Sequence, residues 1–185
     1  AANCYMIASE IEIQNGRDPI PFLDKSRSLL EPTVAKNPRF LWFINDLGIL
    51  YSTLGSRLQL SGDSRAAEIL KKSLHYFAEA NVLDHYYISA LLNSMIVKRA
   101  QISDCKDNEE FQSILDNADR HFSDCTMINN QETRCFSSYF QIYARAAYRS
   151  LLGSRNPQPS LQRALQHLAL TRRLGGKLQD AEQHA

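Results

Sequence analysis

Two residues with metal-ligand chemistry lie one helical turn apart near the middle of the chain. His121 and Cys125 are spaced i, i+4, which would place an imidazole nitrogen and a thiolate on one face of a helix, as a zinc site requires. A closed zinc site also needs a third and a fourth ligand, and the sequence nearby offers no obvious ones. We therefore predict no metal site, and we interpret His121 as a solvated residue beside a core Phe122.

Motifs for catalysis or phosphate binding are missing from the sequence. Its seven glycines form neither GxGxxG nor a P-loop, and Gly175-Gly176-Lys177 fits a helix C-cap followed by a tail. His75 lies beside apolar residues and His85 at a predicted helix start, which is typical of structural histidines. No nucleophile elbow occurs. We therefore predict that the chain is not an enzyme, that it has no catalytic residues and that it needs no cofactor.

Charged residues are segregated along the chain. Residues 102–132 contain eight acidic and two basic residues, whereas residues 133–179 contain eight basic residues and no acidic one. A basic segment of this kind attracts nucleic acid or an acidic protein. We favour internal pairing and do not expect nucleic acid as a partner, because the net charge of the whole chain is only +1. The eight bases are Arg134, Arg145, Arg149, Arg155, Arg163, Arg172, Arg173 and Lys177.

Two of these bases are candidate partner-binding residues. Arg145 and Arg149 are spaced i, i+4 and therefore share one face of a predicted helix. Under the internal-pairing interpretation, we expect the basic segment to pair with acids of the preceding helix, namely Asp116, Asp119 and Asp124. Under the alternative interpretation, a nucleic-acid-binding helical repeat, the same arginines would project outward together.

A repeated stretch indicates which elements position these residues. RDPIPFLDKS at residues 17–26 recurs as RNPQPSLQRA at residues 155–164, which is 138 residues later. Two further copies of its L-x-x-[S/A] core lie between them, so the small residues of the four copies are 47, 45 and 46 residues apart. A fixed period of this length is typical of a stacked array, because one unit cannot bury its apolar face alone. The small residues, which we predict to be buried equivalents, are Ser26, Ser73, Ala118 and Ala164.

Each unit of the array is predicted to be a pair of helices. The core continues as L-x-x-[S/A]-x-x-x-[L/F], whose steps of three and four place it on one helical stripe. A capping residue followed by proline or another breaker precedes it, which marks the start of the second helix of each unit. We predict an all-α fold, a single helical-repeat domain over residues 1–185 built as a solenoid of about four antiparallel helix pairs. The predicted repeats span residues 1–38, 39–84, 85–130 and 131–176, and a tail follows at 177–185.

The second unit resembles a known repeat family. Leu47-Gly48-x-x-Tyr51 and the segment from Gly62 to Ala67 resemble the first-helix core and the turn of the tetratricopeptide repeat. The unit of about 46 residues is longer than the 34 residues of that family. In this respect it is similar to the elongated arrays that follow the kinase domain in bacterial Ser/Thr kinases. Kinase motifs themselves are absent from the sequence.

The resemblance implies a function as well as a fold. The first helices of such an array line a concave surface that binds a protein or peptide, and in the second repeat this places Trp42, Asn45, Ile49, Ser52 and Thr53 exposed on that surface. We therefore predict a non-enzymatic protein-interaction or scaffold module from the repeat region of a larger bacterial signalling protein. One alternative is a regulatory array that senses a ligand or peptide, and the other is the nucleic-acid-binding repeat.

Composition bears on location. The sequence contains no run of about 18 apolar residues, and its apolar stretch near the start is too short for a signal peptide, so we expect no membrane partner and a cytoplasmic protein. Cysteines at positions 4, 105, 125 and 135 are then expected to be reduced thiols, with Cys125 and Cys135 as the pair most able to form a disulfide.

Overall fold

The computed structural model describes residues 1–105, 107–153 and 155–174, and in these residues all regular structure is α-helical. The all-α prediction is thereby confirmed, and each predicted repeat contains two helices. Gly175-Gly176-Lys177 and the predicted tail at 177–185 lie outside the described residues. The helices are α1 (Ala2–Gln14), α2 (Ile20–Lys36), α3 (Leu41–Leu60), α4 (Ala66–Leu83), α5 (Ile88–Asp104), α6 (Asn108–Ile128), α7 (Thr133–Leu152) and α8 (Gln158–Arg173).

The four small residues that define the period are all buried. Ser26, Ser73, Ala118 and Ala164 lie on α2, α4, α6 and α8, and each exposes at most 1% of its surface. This confirms the prediction made for these positions. A small side chain in mid-helix lets a neighbouring helix approach closely, and the serine hydroxyls make use of that approach. Ser73 Oγ, for example, donates a hydrogen bond of 2.8 Å to the carbonyl oxygen of Gly48 on α3.

The two copies of the repeated stretch form the same local structure. Asp18 Oδ1 accepts a hydrogen bond of 3.0 Å from the backbone N–H of Ile20, and Asn156 Oδ1 accepts one of 3.0 Å from that of Gln158. In both copies a proline lies between the acceptor and the first helical residue, and its fixed φ suits a helix start. The R-[D/N]-P sequence is therefore the start signal of α2 and of α8.

The chain forms two compact units, and the first spans Ala1–Ala90. Its core contains the Leu47-Gly48-x-x-Tyr51 sequence on α3. A Cβ atom at Gly48 would lie 2.5 Å from Cε1 of Phe77 on α4, so the absence of a side chain at this position lets the two helices pack closely. The ring of Tyr51 stacks on that of Tyr76 with 5.6 Å between centroids, and burial raises the pKa of the Tyr51 hydroxyl.

The second unit spans Leu91–Ala185. A disulfide between Cys125 and Cys135, both fully buried, joins α6 to α7. The expectation of reduced thiols is therefore wrong for this pair, which the sequence analysis had marked as the exception. Cys4 and Cys105 are free thiols. Beside the disulfide, the ring of Phe122 on α6 stacks on that of Tyr139 on α7 with 4.3 Å between centroids.

Candidate partner-binding surfaces

The five residues predicted to be exposed on α3 differ in their exposure. Trp42 is 60% exposed, whereas Ile49, Ser52 and Thr53 are half-buried. Asn45 is only 5% exposed, so the expectation that its side chain is exposed is wrong.

The burial of Asn45 fits its position on α3. Asn45 precedes Gly48 by three residues, so the two lie on the same stripe of α3. The structure packs Gly48 against Phe77 of α4. Asn45 therefore belongs to the packed side of α3 and not to an exposed surface.

Three further aromatic side chains lie near Trp42 in the chain or in space, one of them exposed and two of them half-buried. The ring of Trp42 contacts that of Tyr87 edge-on with 5.7 Å between centroids, and Phe40 contacts Phe43 at 4.4 Å. Phe40, which directly precedes α3, is 47% exposed. We call Phe40, Trp42, Phe43 and Tyr87 the aromatic surface. Only Trp42 of this group was predicted from the sequence, because the other three lie at helix starts outside the repeat motif.

An acidic side chain lies beside the aromatic surface. Asp46 follows Trp42 by one helical turn, and partial burial raises the pKa of its carboxyl group although a hydrogen bond with Asn3 opposes that effect. The pKa of the Tyr87 hydroxyl is raised by burial and, to a smaller extent, by the charge of Asp46. The surface therefore combines two exposed and two half-buried rings with one carboxylate.

Arg145 and Arg149 on α7 bind the end of α5 instead of the predicted acids. Arg145 Nε donates a hydrogen bond of 2.8 Å to Ser103 Oγ. Arg149 donates one of 3.4 Å to the Ser103 carbonyl oxygen and another to that of Cys105, which directly follows α5. The last carbonyl groups of a helix lack partners within the helix and carry partial negative charge, so they attract guanidinium groups.

Internal pairing is found at one of the predicted acids. Arg163 Nη1 on α8 lies 2.7 Å from Asp119 Oδ2 on α6. Asp119 also accepts hydrogen bonds from the hydroxyl groups of Tyr143, at 2.7 Å, and Tyr139. Of the other bases, Arg134 pairs with Glu132, two residues earlier, and Lys177 lies outside the described residues.

A cavity of about 420 Å³ lies next to Arg145 and Arg149, within the second unit. The guanidinium groups of Arg149 and Arg155 each lie 5.9 Å from the ring centroid of Phe111. The Nε atom of Arg149 is buried and has no hydrogen-bond partner. We call this space the arginine cavity. Its lining includes Ser103, Arg145, Tyr148, Arg149, Leu152 and Arg155.

The His121/Cys125 pair does not form a ligand set. The sulfur of Cys125 is bonded to Cys135, and His121 is half-buried, so its interpretation as a solvated residue is wrong. Burial lowers the pKa of His121 to about 4, and the charges of Lys98 and Arg120 act in the same direction. Within residues 1–105, 107–153 and 155–174, no group of three or more His, Cys, Asp or Glu side chains is arranged to hold a metal ion.

A buried lysine near His121 was missed by the sequence analysis. Lys98 on α5 exposes only 6% of its surface, and burial lowers the pKa of its ammonium group to about 8. The charge of Arg120 contributes to the same shift. Nothing in the surrounding sequence distinguishes this lysine from a solvated one.

Comparison with known proteins adds no family assignment. No protein-family model matches the chain, and no curated protein matches it. In the part of the chain that the structure describes, no helix has both the length and the hydropathy needed to cross a bilayer.

Proposed function

We propose that this chain is a helical-repeat module that binds a protein or peptide partner through the aromatic surface. The observation that carries this proposal is the exposure of Trp42, which is 60%, on a helix whose other large apolar residues mostly contribute to the core. Exposed apolar patches mark interaction sites, and tryptophan and tyrosine are enriched among the residues that dominate binding energy. Trp42 and Tyr87 contact each other and together offer such an anchor.

The contacts between α3 and α4 support a pair of the tetratricopeptide type. Gly48 packs against Phe77, whereas Gly55, two turns later on α3, packs against Leu70, which is earlier on α4. Contacts that advance along one helix and go back along the other are those of an antiparallel pair. The solenoid of four such pairs in one domain over residues 1–185 stays a prediction, as do the bacterial signalling role, the scaffold function and the cytoplasmic location.

The chemistry of the aromatic surface indicates what kind of partner it binds. The exposed rings of Phe40 and Trp42 offer π-faces and apolar area, and Asp46 adds a negative charge one turn from Trp42. A lysine or arginine side chain satisfies both, because a cation is attracted by an aromatic face and by a carboxylate. We propose a peptide segment with a basic residue flanked by apolar ones as the partner.

A selection from a random peptide library displayed on phage tests this proposal. We expect the purified protein to enrich sequences that contain a basic residue next to apolar ones. Peptides chosen in this way are then titrated by fluorescence polarisation against Trp42→Ala and against Leu60→Ala, a control at a residue that is 78% exposed at the other end of α3. Loss of an aromatic anchor costs roughly 2 kcal/mol or more, so we expect Trp42→Ala to weaken binding more than about tenfold.

The control separates this effect from general loss of apolar surface. Leu60→Ala is expected to leave the affinity unchanged. Circular dichroism checks that both proteins are folded. Equal peptide affinities for folded wild type and folded Trp42→Ala would contradict a role of the aromatic surface in binding. A library that yields no enriched sequence would count against peptide binding altogether.

The nucleic-acid alternative has less support. Two of the eight bases, Arg134 and Arg163, form ion pairs with Glu132 and Asp119. Those pairs reduce the number of cations that remain to neutralise a row of phosphates, which is what nucleic-acid binding requires.

A further inference from the structure

The arginine cavity concentrates positive charge in a small space. Arg145, Arg149 and Arg155 all line it, and no carboxylate side chain is among its described lining residues. The positive potential reaches beyond the cavity, since the charge of Arg145 contributes, after burial, to lowering the pKa of Arg99. Like charges held close together repel each other, and an anion between them offsets that repulsion.

The guanidinium groups are held in place by contacts that do not neutralise them. Arg145 is fixed by the Ser103 hydroxyl, and Arg149 by backbone carbonyl groups at the end of α5. The ring of Phe111 supports both Arg149 and Arg155. These contacts orient the donors in advance, which lowers the cost of ordering side chains when a ligand binds.

One donor in this group has no partner. Arg149 Nε is buried without a hydrogen bond, and a buried polar group normally has one. Guanidinium groups offer N–H donors in a planar fork that matches the oxygen atoms of a phosphate. An oxyanion in the cavity would supply the missing negative charge and would accept hydrogen bonds from the guanidinium groups that line it.

We propose that the arginine cavity is a binding site for a phosphate group carried by a small phosphate ester or by a phosphorylated side chain. A volume of about 420 Å³ exceeds that of phosphate alone and falls in the range of small-ligand pockets. The organic part of the ligand has apolar surface to contact, because Tyr148 and Leu152 line the same cavity and are 55% and 68% exposed. This site lies in the second unit and does not depend on the aromatic surface of the first.

Isothermal titration calorimetry at low ionic strength tests the proposal. The ligands are inorganic phosphate, O-phosphoserine, a phosphoserine peptide and the same peptide without phosphate. The variants are Arg145→Gln and Arg155→Gln, and the matched control is Arg172→Gln, an exposed residue of α8 outside the cavity. Each lost charge-assisted hydrogen bond is expected to weaken phosphate binding by about tenfold or more.

The ligand series distinguishes the two sources of phosphate. Binding of O-phosphoserine that is tighter than that of inorganic phosphate and as tight as that of the phosphopeptide would indicate a small ester, whereas much tighter binding of the phosphopeptide would indicate a modified protein. We expect no binding of the unphosphorylated peptide and an affinity for Arg172→Gln within about twofold of wild type. Either result supports the proposal only if Arg145→Gln and Arg155→Gln bind the phosphate ligand more weakly than wild type does.

Three results would overturn the proposal. One is that none of the phosphate ligands binds the wild-type protein, or that their binding weakens equally in Arg145→Gln, Arg155→Gln and Arg172→Gln. Another is binding of citrate, a carboxylate ligand, as tight as that of phosphate. The third is tight binding of a single-stranded RNA that weakens equally in Arg172→Gln, which would show that the bases serve a nucleic acid.

A measurement on the unmodified protein guards against misfolded variants. Phenylglyoxal modifies accessible arginine side chains, and mass spectrometry locates the modified sites. We expect saturating phosphoserine to protect Arg145 and Arg155 but not Arg172. Equal modification of all three with and without phosphoserine would contradict the proposed site.

Discussion

Gly48 lies against the ring of Phe77 with no room for a side chain between them, since a Cβ atom at position 48 would lie 2.5 Å from Phe77 Cε1. We predict that Gly48→Ala destabilises the protein. Alanine is favoured over glycine in a free helix by about 1 kcal/mol, but overpacking at this contact costs about 1–3 kcal/mol and decides the sign. Urea denaturation followed by circular dichroism measures the free energy of unfolding.

A second glycine and a second background make this test specific. Gly153→Ala is the control, because a Cβ there would meet no atom closer than 3.5 Å. We expect it to change the free energy of unfolding by less than about 0.5 kcal/mol. In a Phe77→Leu background, Gly48→Ala should cost less than it does in wild type. The same cost in both backgrounds would mean that the ring does not limit the approach of α3 to α4.

The disulfide between Cys125 and Cys135 leads to a prediction about redox state. It closes a short loop, with a sequence separation of 10, and a cross-link of that length stabilises a protein by about 2–3 kcal/mol. We therefore expect the Cys125→Ser/Cys135→Ser double variant to lose about that much in the free energy of unfolding. Cys4→Ser, at an exposed free thiol, is expected to change nothing.

Thiol counting checks the pairing directly. Alkylation of the unfolded protein without reductant should modify two cysteines, and four after reduction. Four modified cysteines without reductant, in protein purified from an oxidising compartment, would contradict the disulfide. Disulfides persist in oxidising compartments and are rare in the cytosol, so the same count on protein from its native source also tests the predicted cytoplasmic location.

We predict that His121 and His167 make the free energy of unfolding depend on pH. Burial lowers the pKa of each to about 4, with help from nearby positive charges: Lys98 and Arg120 for His121, and Arg163 for His167. The unfolded chain therefore takes up protons near pH 6.5, whereas the folded protein does so only near pH 4. Their contribution to stability is complete above about pH 6.5 and is lost as the pH falls to about 4.

The slope of that loss is measurable. Each histidine contributes at most about 1.4 kcal/mol per pH unit over this range. Replacing His121 by Gln should therefore flatten the dependence of the free energy of unfolding on pH between 4 and 6.5. His85→Gln, at an exposed residue, is the control. A profile for His121→Gln that runs parallel to wild type would show that this histidine titrates alike in the folded and unfolded states.

Positions that follow the period could be predicted from the sequence because they depend on local packing within a helix pair. A small residue in the middle of an apolar stripe leaves space that only a neighbouring helix can fill, so Ser26 and Ala118 were placed correctly without coordinates. The start signal at Asp18 is also local, since acceptor and donor are two residues apart. The burial of Asn45 could not be predicted, because it depends on packing between helices, which the motif does not encode.

The partners of the basic residues could not be predicted for a different reason. Arg163 and Asp119 carry opposite charges, so the charge pattern of the sequence predicted an ion pair of this kind. The acceptors of Arg149 are backbone carbonyl groups, which every residue has. No residue type marks the end of α5 as their position, so the arginine cavity emerges only from the arrangement of α5 and α7.

The buried lysine on α5, Lys98, is predicted to destabilise the folded protein. Its ammonium group is buried, and burial, together with the charge of Arg120, lowers its pKa to about 8, from about 10.4 in an unfolded chain. The charged form is therefore penalised in the folded protein, fully below about pH 8 and less as the pH rises towards 10.4. Lys98→Met keeps most of the side-chain volume without the charge, so we expect it to raise the free energy of unfolding at pH 7 by about 1–3 kcal/mol.

The pH dependence of that gain identifies its cause. If relief of a buried charge stabilises Lys98→Met, its advantage over wild type should shrink between pH 8 and pH 10.4. Lys71→Met, at an exposed position of α4, should show neither the gain nor the dependence on pH. A gain for Lys98→Met that is constant across this range would attribute the effect to apolar packing, and a loss at pH 7 would show that the ammonium group makes a favourable interaction in the folded protein.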